Sequence, residues 1–346
     1  MKAVKIPAGP LAGGPHALRG LRERRRLAAQ ARPDAGLQPW LTARAQQFGP
    51  GLVALVPAPM RPWLAELHRP IARHLAAARY RRRYGGPFMS DIDYADDLLQ
   101  YSLGVAAPRP ALRYYDAVRM YFQGGEWNAA EMAGVVREHG FPLVEAGSVL
   151  EFACGWGRVT RHLVHLMDRS RLTVSDVDPV AVQFVCRKLG VRGFASAIAP
   201  LDLRREERYD VILIVSLFSH LPLADWGPWL GRLGRLLEPG GALAFSTLGM
   251  HAFDVNIPDA ERGAFQEVAE GFFYRAANET RGRLSTDHYG LSYVAEGPVR
   301  DLVEQHFPGS IVAACPRALS IFQDVYVLER DAAPGRARGR RLHEIE

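Results

Sequence analysis

Ten residues near the middle of the chain limit its fold more than any other stretch: Val149-Leu150-Glu151-Phe152-Ala153-Cys154-Gly155-Trp156-Gly157-Arg158. Val149–Ala153 is a short apolar run, a glycine turn follows, and Val159, Leu163, Leu166 and Met167 then recur at helical spacing. The block reads as strand, tight turn, helix. A glycine turn lets a backbone approach a ligand closely, and a helix start offers N–H groups with no partner of their own. The pattern continues downstream. Leu172–Ser175 reads as a strand, Val180–Leu189 as a helix, Phe194–Ala197 as a third strand and Tyr209–Val215 as a buried strand. Trp226–Leu237 reads as a helix, Ala242–Ser246 as a strand and Val299–Phe307 as a last helix. Ile311–Ala314 and Asp324–Leu328 follow with no helix between them, which predicts an antiparallel pair. Strands alternating with helices of about ten residues imply an α/β, doubly wound, Rossmann-like and mostly parallel sheet.

Dinucleotides and S-adenosyl-L-methionine (SAM) both use such a turn. The dinucleotide fingerprint G-x-G-x-x-G needs a third glycine where this chain has Thr160. Glu151 just before the turn also suits a cationic ligand better than a diphosphate. The block resembles the first motif of the class I SAM-dependent methyltransferases, E/D-x-G-x-G-x-G, with Ala153 at the first glycine. The family's order continues. Asp176 ends the second strand, and Ser216-Leu217-Phe218-Ser219-His220-Leu221 follows the fourth. Leu236-Leu237-Glu238-Pro239-Gly240-Gly241 precedes the fifth. The resemblance covers about residues 145–330 and implies seven strands, the last antiparallel. Cys154–Arg158, Ser216–Leu221, Tyr289-Gly290 and Phe322–Val325 further resemble bacterial methyltransferases of glycan or natural-product biosynthesis.

The resemblance implies a cofactor site at Glu151, Ala153, Cys154, Gly155, Trp156, Gly157, Asp176, Val177, Ala197, Ser216 and Leu217. Glu151 would serve the amino group and Asp176 the ribose hydroxyls, where one carboxylate accepts from two donors. S-adenosyl-L-homocysteine would be the product. Trp156 is read either as packing beside the methionine tail or as capping the sheet, and Asp202 as touching the adenine or as solvated. His220 is a candidate general base, with a structural histidine as the alternative. Asp287 and His288 are further candidates for that role. Tyr115, Tyr121, Phe218, His251 and Tyr289 are candidate acceptor contacts. No metal ligands are expected. The loop after the fourth strand lacks the [DNS]-P-P-[YF] element of DNA amino-methylating enzymes. No cysteine lies near it for RNA C5 chemistry, and no paired-glutamate loop of the protein arginine enzymes is present. A hydroxyl of a small molecule or saccharide is the expected acceptor. An RNA-directed enzyme and a SAM-binding subunit without turnover are the alternatives.

The rest of the chain is organised by charge. Residues 1–85 hold 16 basic and 3 acidic residues, a net of +13 within an overall +6. This segment is read as a basic, partly helical extension, either solvated or serving an anionic partner such as nucleic acid or a membrane surface. Leu64, Leu67, Ile71 and Leu75 predict a short amphipathic helix in it. The 40 arginines against 3 lysines suggest a GC-rich genome, so arginine number alone is discounted. Residues 86–140 are expected to form a helical cap. Ser90 with Asp91, Asp93, Asp96 and Asp97 reads as a helix N-terminus. Ala111–His139 reads as a helix interrupted at Gly124-Gly125, its Tyr114, Tyr115, Tyr121, Phe122 and Trp127 forming core or lid. Residues 141–330 are the expected catalytic domain, and 331–346 an expected disordered basic tail. Three cysteines without CxxC spacing, no apolar run of membrane length and no secretory h-region predict a cytoplasmic protein.

Overall fold

A computed structural model of the chain describes residues 61–105, 113–276, 285 and 288–332. Apart from Arg61, these fall in one compact unit, residues 62–108 and 113–346. The other unit, residues 1–61 and 109–112, holds most of the basic extension. Its residues other than Arg61 lie outside the described residues, as do 333–346 of the tail.

β1 (Val149–Phe152) is apolar on both faces except for Glu151, and all four residues are buried. It runs parallel between β2 (Leu172–Asp176) and β4 (Tyr209–Ile214), pairing Phe152 with Ser175 on one side and Ile214 on the other. β3 (Arg192–Ala195) flanks β2, and β5 (Leu237–Leu248) flanks β4. β10 (Gln323–Arg330) runs antiparallel on β5, and β9 (Gly309–Leu319) antiparallel on β10. The order β3-β2-β1-β4-β5-β10-β9 is the seven-stranded, mostly parallel sheet that the sequence predicts.

The count differs, because the sheet has ten strands. β6 (Gln266–Ala269), β7 (Phe272–Ala276) and β8 (Gly290–Val294) form an antiparallel meander that joins β5 only through Leu248 and Tyr293. Three of the four β6 residues are exposed, so no alternation marks it in the sequence.

Successive side chains leave a strand on opposite faces. Val149, Val174, Val211 and Val325 therefore build one core, closed by α3 (Arg113–Glu138), α4 (Thr160–Leu163) and α5 (Pro179–Leu189). Leu150, Phe152, Ile212 and Phe245 build the other, closed by α6 (Leu223–Arg235) and α9 (Glu296–His306). α7 (Met250–Asn256) and α8 (Asp259–Arg262) follow β5. α5 starts as its sequence dictates: the Asp178 carboxylate accepts from Val180 N at 2.9 Å, Pro179 fills the first position, and Gly190 ends it at φ 67°.

α1 (Arg61–Tyr84), α2 (Asp97–Val105) and α3 form a helical layer before β1. Three expectations are corrected there. In α1, Ala72, Ala76, Ala77 and Tyr80 are buried, whereas Ile71 and Leu75 are 58% and 47% exposed. Small residues let α1 approach Phe88, Val118 and Phe122 closely, and this decides which face is buried. α2 is capped by Asp96, not Ser90; its carboxylate accepts from Leu98 N at 2.9 Å. α3 runs unbroken through Gly124-Gly125. A side chain at Gly125 would collide with the Arg158 carbonyl oxygen, and one at Gly124 would put its Cβ 2.7 Å from Arg158 Nη1. The glycines serve a close approach, not a break.

Candidate cofactor and acceptor site

Parallel strands bring their following loops to one edge of the sheet, and the reversal between β1 and β4 opens a crevice there. Pairing Phe152 with both Ser175 and Ile214 places Ala153, Asp176 and Val215 in one row at that edge. Asp176 pairs with Ala195, which adds the loop holding Ala197. Ala153, Ala197 and Leu217 all pack half-buried against the same core.

The turn after β1 is held in an uncommon conformation. Ala153, Gly155 and Gly157 have φ of 60°, 53° and 77°. Gly157 has no alternative: a Cβ there would stand 2.9 Å from Val185 of α5. Ser216 after β4 is also left-handed, at φ 64°. Non-glycine residues adopt this region at a cost of about 1–3 kcal/mol, and such strain clusters at ligand sites. Two such residues thus face the crevice from its two sides. Ser216 is held there by three contacts. Its N–H donates to Ser246 Oγ at 2.8 Å, its carbonyl accepts from Ser219 Oγ at 2.6 Å, and its hydroxyl meets Gln323 Nε2 at 2.9 Å.

Asp176 carries the second part of the site. Oδ2 accepts from Gly155 N at 2.8 Å and Oδ1 from Asp178 N at 3.0 Å, which fixes the carboxylate beside the turn. Burial raises its pKa, and the backbone donors oppose that shift. Val177 follows it, half-buried. Cys154 is buried, its N–H donating to Ser175 O at 2.9 Å. Trp156 is 7% exposed and packs edge-on against Phe184 at 5.5 Å, a core position on α5. Glu151 is 3% exposed, and burial lifts its carboxyl to about 8.

Three residues in or next to the turn each have a buried polar atom without a hydrogen-bond partner: Glu151 Oε2, Arg158 Nε and Thr160 Oγ1. A buried polar group without a partner is costly, and a polar ligand in the crevice would relieve that cost. The set of donors and acceptors fits SAM, with an acid for an ammonium, a base for a carboxylate and Asp176 beside a glycine turn for the ribose.

On the acceptor side, His220 Nδ1 lies 2.9 Å from Gly290 O and its ring stacks on Tyr289 at 4.5 Å. β8 also donates Gly290 N to His220 O and Ser292 N to Ser219 O, both at 2.8 Å. The meander thereby covers the loop after β4. His288 Nδ1 sits 3.6 Å from Asp225 Oδ2. His251 is exposed in the first turn of α7. Asp202 ends a short 3-10 turn and is exposed. Asp287 lies outside the described residues.

Two expected acceptor contacts are corrected. Tyr121 is 1% exposed, and its hydroxyl donates to Asp96 Oδ2 at 2.5 Å inside the helical layer. Phe218 is fully buried between Trp226 and Phe245, where a large ring fills the core under the loop. Tyr115 also packs with the helical layer, with the Arg119 guanidinium over its ring.

Sequence reasoning passed over Arg161. It is fully buried, with Nε donating to Gly157 O at 2.9 Å and Nη1 to Met89 O and Asp91 O at 3.1 and 3.0 Å. It ties the turn to the helical layer. Among the described residues no group of three His, Cys, Asp or Glu could hold a metal, and no helix is long and apolar enough to cross a membrane.

Residues 150–243 match the family described as a methyltransferase domain. The ubiquinone biosynthesis O-methyltransferase of Nitrobacter winogradskyi is 30% identical over 122 residues, 33% of this chain and 44% of that one. The malonyl-[acyl-carrier protein] O-methyltransferase of Prosthecochloris aestuarii is 32% identical over 108 residues, 30% of this chain and 40% of that one. The matched segments thus span less than half of these relatives. Among solved structures, an S-adenosylmethionine-dependent methyltransferase from Clostridium acetobutylicum aligns over 60% of this chain and 92% of its own, at 12% identity and a TM-score of 0.44. Streptomyces venezuelae DesVI aligns over 70% and 100%, at 14% identity and a TM-score of 0.44. Residues 150–243 are thus a methyltransferase domain, and the motif order and strand order around them are similar to those of the class I SAM-dependent methyltransferases.

Proposed function

We propose that this protein transfers a methyl group from SAM to a hydroxyl of a small molecule or glycan. The observation that carries the hydroxyl reading is the setting of His220. Gly290 O accepts from Nδ1, so in the neutral ring the proton sits on Nδ1 and Nε2 is the basic nitrogen. Tyr289 and the β8 backbone hold the ring in one orientation at the end of β4. A hydroxyl acceptor must lose a proton as it attacks, and a positioned imidazole is suited to take it.

When bound, the cofactor supplies an electrophilic methyl group on a sulfonium. The turn from Ala153 to Gly157 and Asp176 would fix the cofactor, and Ser216 and Leu217 would flank it from β4. His220 Nε2 would then accept the hydroxyl proton. Alignment of acceptor and methyl accounts for most of such a rate enhancement. The two relatives named as O-methyltransferases support the choice of oxygen.

The test is turnover of a panel of sugar, phenolic and amine acceptors by the full chain and by His220→Gln. O-methylated product is expected, with kcat about 10²–10⁴-fold lower in the variant and cofactor affinity unchanged. Methylation of amines alone, or full turnover of hydroxyl acceptors by the variant, would overturn the reading.

A further inference from the structure

A groove lies away from the crevice, towards the edge where β4 and β5 begin. There Tyr209 pairs with Leu237, so the loop 203–208 before β4 and the end of α6 before β5 come side by side. The groove between them holds about 400 Å³, a volume within the range of small-ligand sites. Four arginines line it, Arg204, Arg205, Arg232 and Arg235, against one acid, Glu206.

Most of this charge meets no carboxylate. Glu207, the next acid in sequence, pairs with Arg192 at 3.2 Å and with Arg205. Among the described residues, Arg204, Arg232 and Arg235 form no ion pair. The loop fixes Arg232 in place: Nε and Nη2 donate to Leu203 O at 3.1 and 2.7 Å, and Nη2 also donates to Arg205 O. Burial, then the Arg235 and Arg204 charges, lower the Arg232 pKa, with Glu206 opposing them. Arg232 and Arg235 stand in the last turn of α6, where a helix end attracts cations. That end carries only about half an elementary charge, too little to offset four guanidiniums. Arg330 adds another beside them, its Nη1 donating to Arg235 O at 3.3 Å.

We propose that this groove binds a compact oligophosphate, at a site separate from the crevice of methyl transfer. Several phosphoryl groups in one small volume answer several guanidiniums, which a single carboxylate cannot do. Each guanidinium can meet a phosphoryl group with two parallel N–H donors. Arg232 is the fixed donor of the wall. The exposed Arg204 meets the ligand from the loop, and the exposed Arg235 from the helix. The site does not depend on the cofactor reading.

The test is calorimetric titration of the full chain with inorganic triphosphate and with ATP, at low and at high salt. Wild type is expected to bind both, more weakly at high salt. Equal affinity for the two would assign the groove to phosphoryl groups alone, and tighter ATP binding would add a nucleoside contact at the same site; either supports the proposal. The double variant Arg204→Gln with Arg235→Gln is expected to bind triphosphate about 10–100-fold more weakly, with its melting temperature and its affinity for S-adenosylhomocysteine unchanged. The double variant Arg137→Gln with Arg187→Gln removes as much charge from exposed positions on α3 and α5, and is expected to bind triphosphate as wild type does. No triphosphate binding by wild type, or equal loss in the two double variants, would overturn the proposal. So would a single-stranded RNA whose binding falls in Arg204→Gln with Arg235→Gln while triphosphate binding does not, since the arginines would then serve a polymer backbone.

Discussion

Burial holds the Glu151 carboxyl at about 8, with the Arg158 charge opposing the shift and Asp176 adding to it. An acid whose folded pKa is raised contributes stability that is present below its unfolded value and lost as pH rises through the folded one. Here that window runs from about 4.3 up to about 8. The ligand-free protein is therefore expected to lose thermal stability on this residue's account between pH 5 and 8, and Glu151→Gln to flatten the slope in a melting series. An ammonium brought beside the carboxyl favours its ionised form. Cofactor binding at pH 7 is thus expected to release protons, read by titration in two buffers of different ionisation enthalpy. Proton release unchanged in Glu151→Gln would rule out this residue as the source. At this scale the sequence was legible where the motif prescribes residue type, at Glu151, Gly155, Gly157 and Asp176. Arg158 and Arg161 were hidden by the arginine-rich composition. Tyr121 and Phe218 misled because an aromatic ring is equally at home in a core and in a pocket.

Helix α3 shows how an element can contradict its own local signal. Gly125→Ala should help an isolated helix, but here the new Cβ meets the Arg158 carbonyl. A loss of about 1–3 kcal/mol is expected in urea unfolding. Gly134→Ala on the same helix has nothing within 4 Å of its new Cβ and is expected to gain about 0.5–1 kcal/mol. Equal effects at the two positions would remove close approach as the reason for the glycine pair. The same contrast explains what the sequence conveyed of the elements. β1, β2 and β4 were legible because burial on both faces makes them continuous apolar runs. The Gly124-Gly125 pair reads as a break from local propensity alone, since its reason lies in a segment 33 residues downstream (Arg158). The β6–β8 meander was illegible because its first strand faces solvent and buries no alternating side chains.

The whole unit is joined between its helical layer and its sheet by buried polar groups. Arg161 bonds both Gly157 O and the carbonyls of Met89 and Asp91. His162 is fully buried one residue later, its Nδ1 3.0 Å from the Tyr84 hydroxyl of α1. Burial first, and then the neighbouring Arg161, His165 and Arg158 charges, push its pKa well below the usual value, so it is held neutral. A histidine depressed in this way favours the folded state at neutral pH and loses that contribution as pH falls below its unfolded value of about 6.5. Thermal stability is therefore expected to drop between pH 6.5 and 5, opposite in direction to the Glu151 effect. His162→Gln should reduce that drop in a melting series at fixed ionic strength, and an unaltered acid slope would exclude His162 as its origin.

The placement of β10 between β5 and β9 also sets an order of assembly. During synthesis the outer edge of β5 presents a row of unpaired backbone groups, a template for the wrong strand, until Gln323–Arg330 emerge. The middle of the sheet is thus completed by the last strand among the described residues. The same late hairpin brings Ser320 to Asn128 and Glu131 of α3, and Gln323 to Ser216 beside the crevice. Without this hairpin the loop after β4 keeps its bonds to β8 but loses the Gln323 contact at Ser216. The brace on Ser216 thus comes from a residue made 107 positions later.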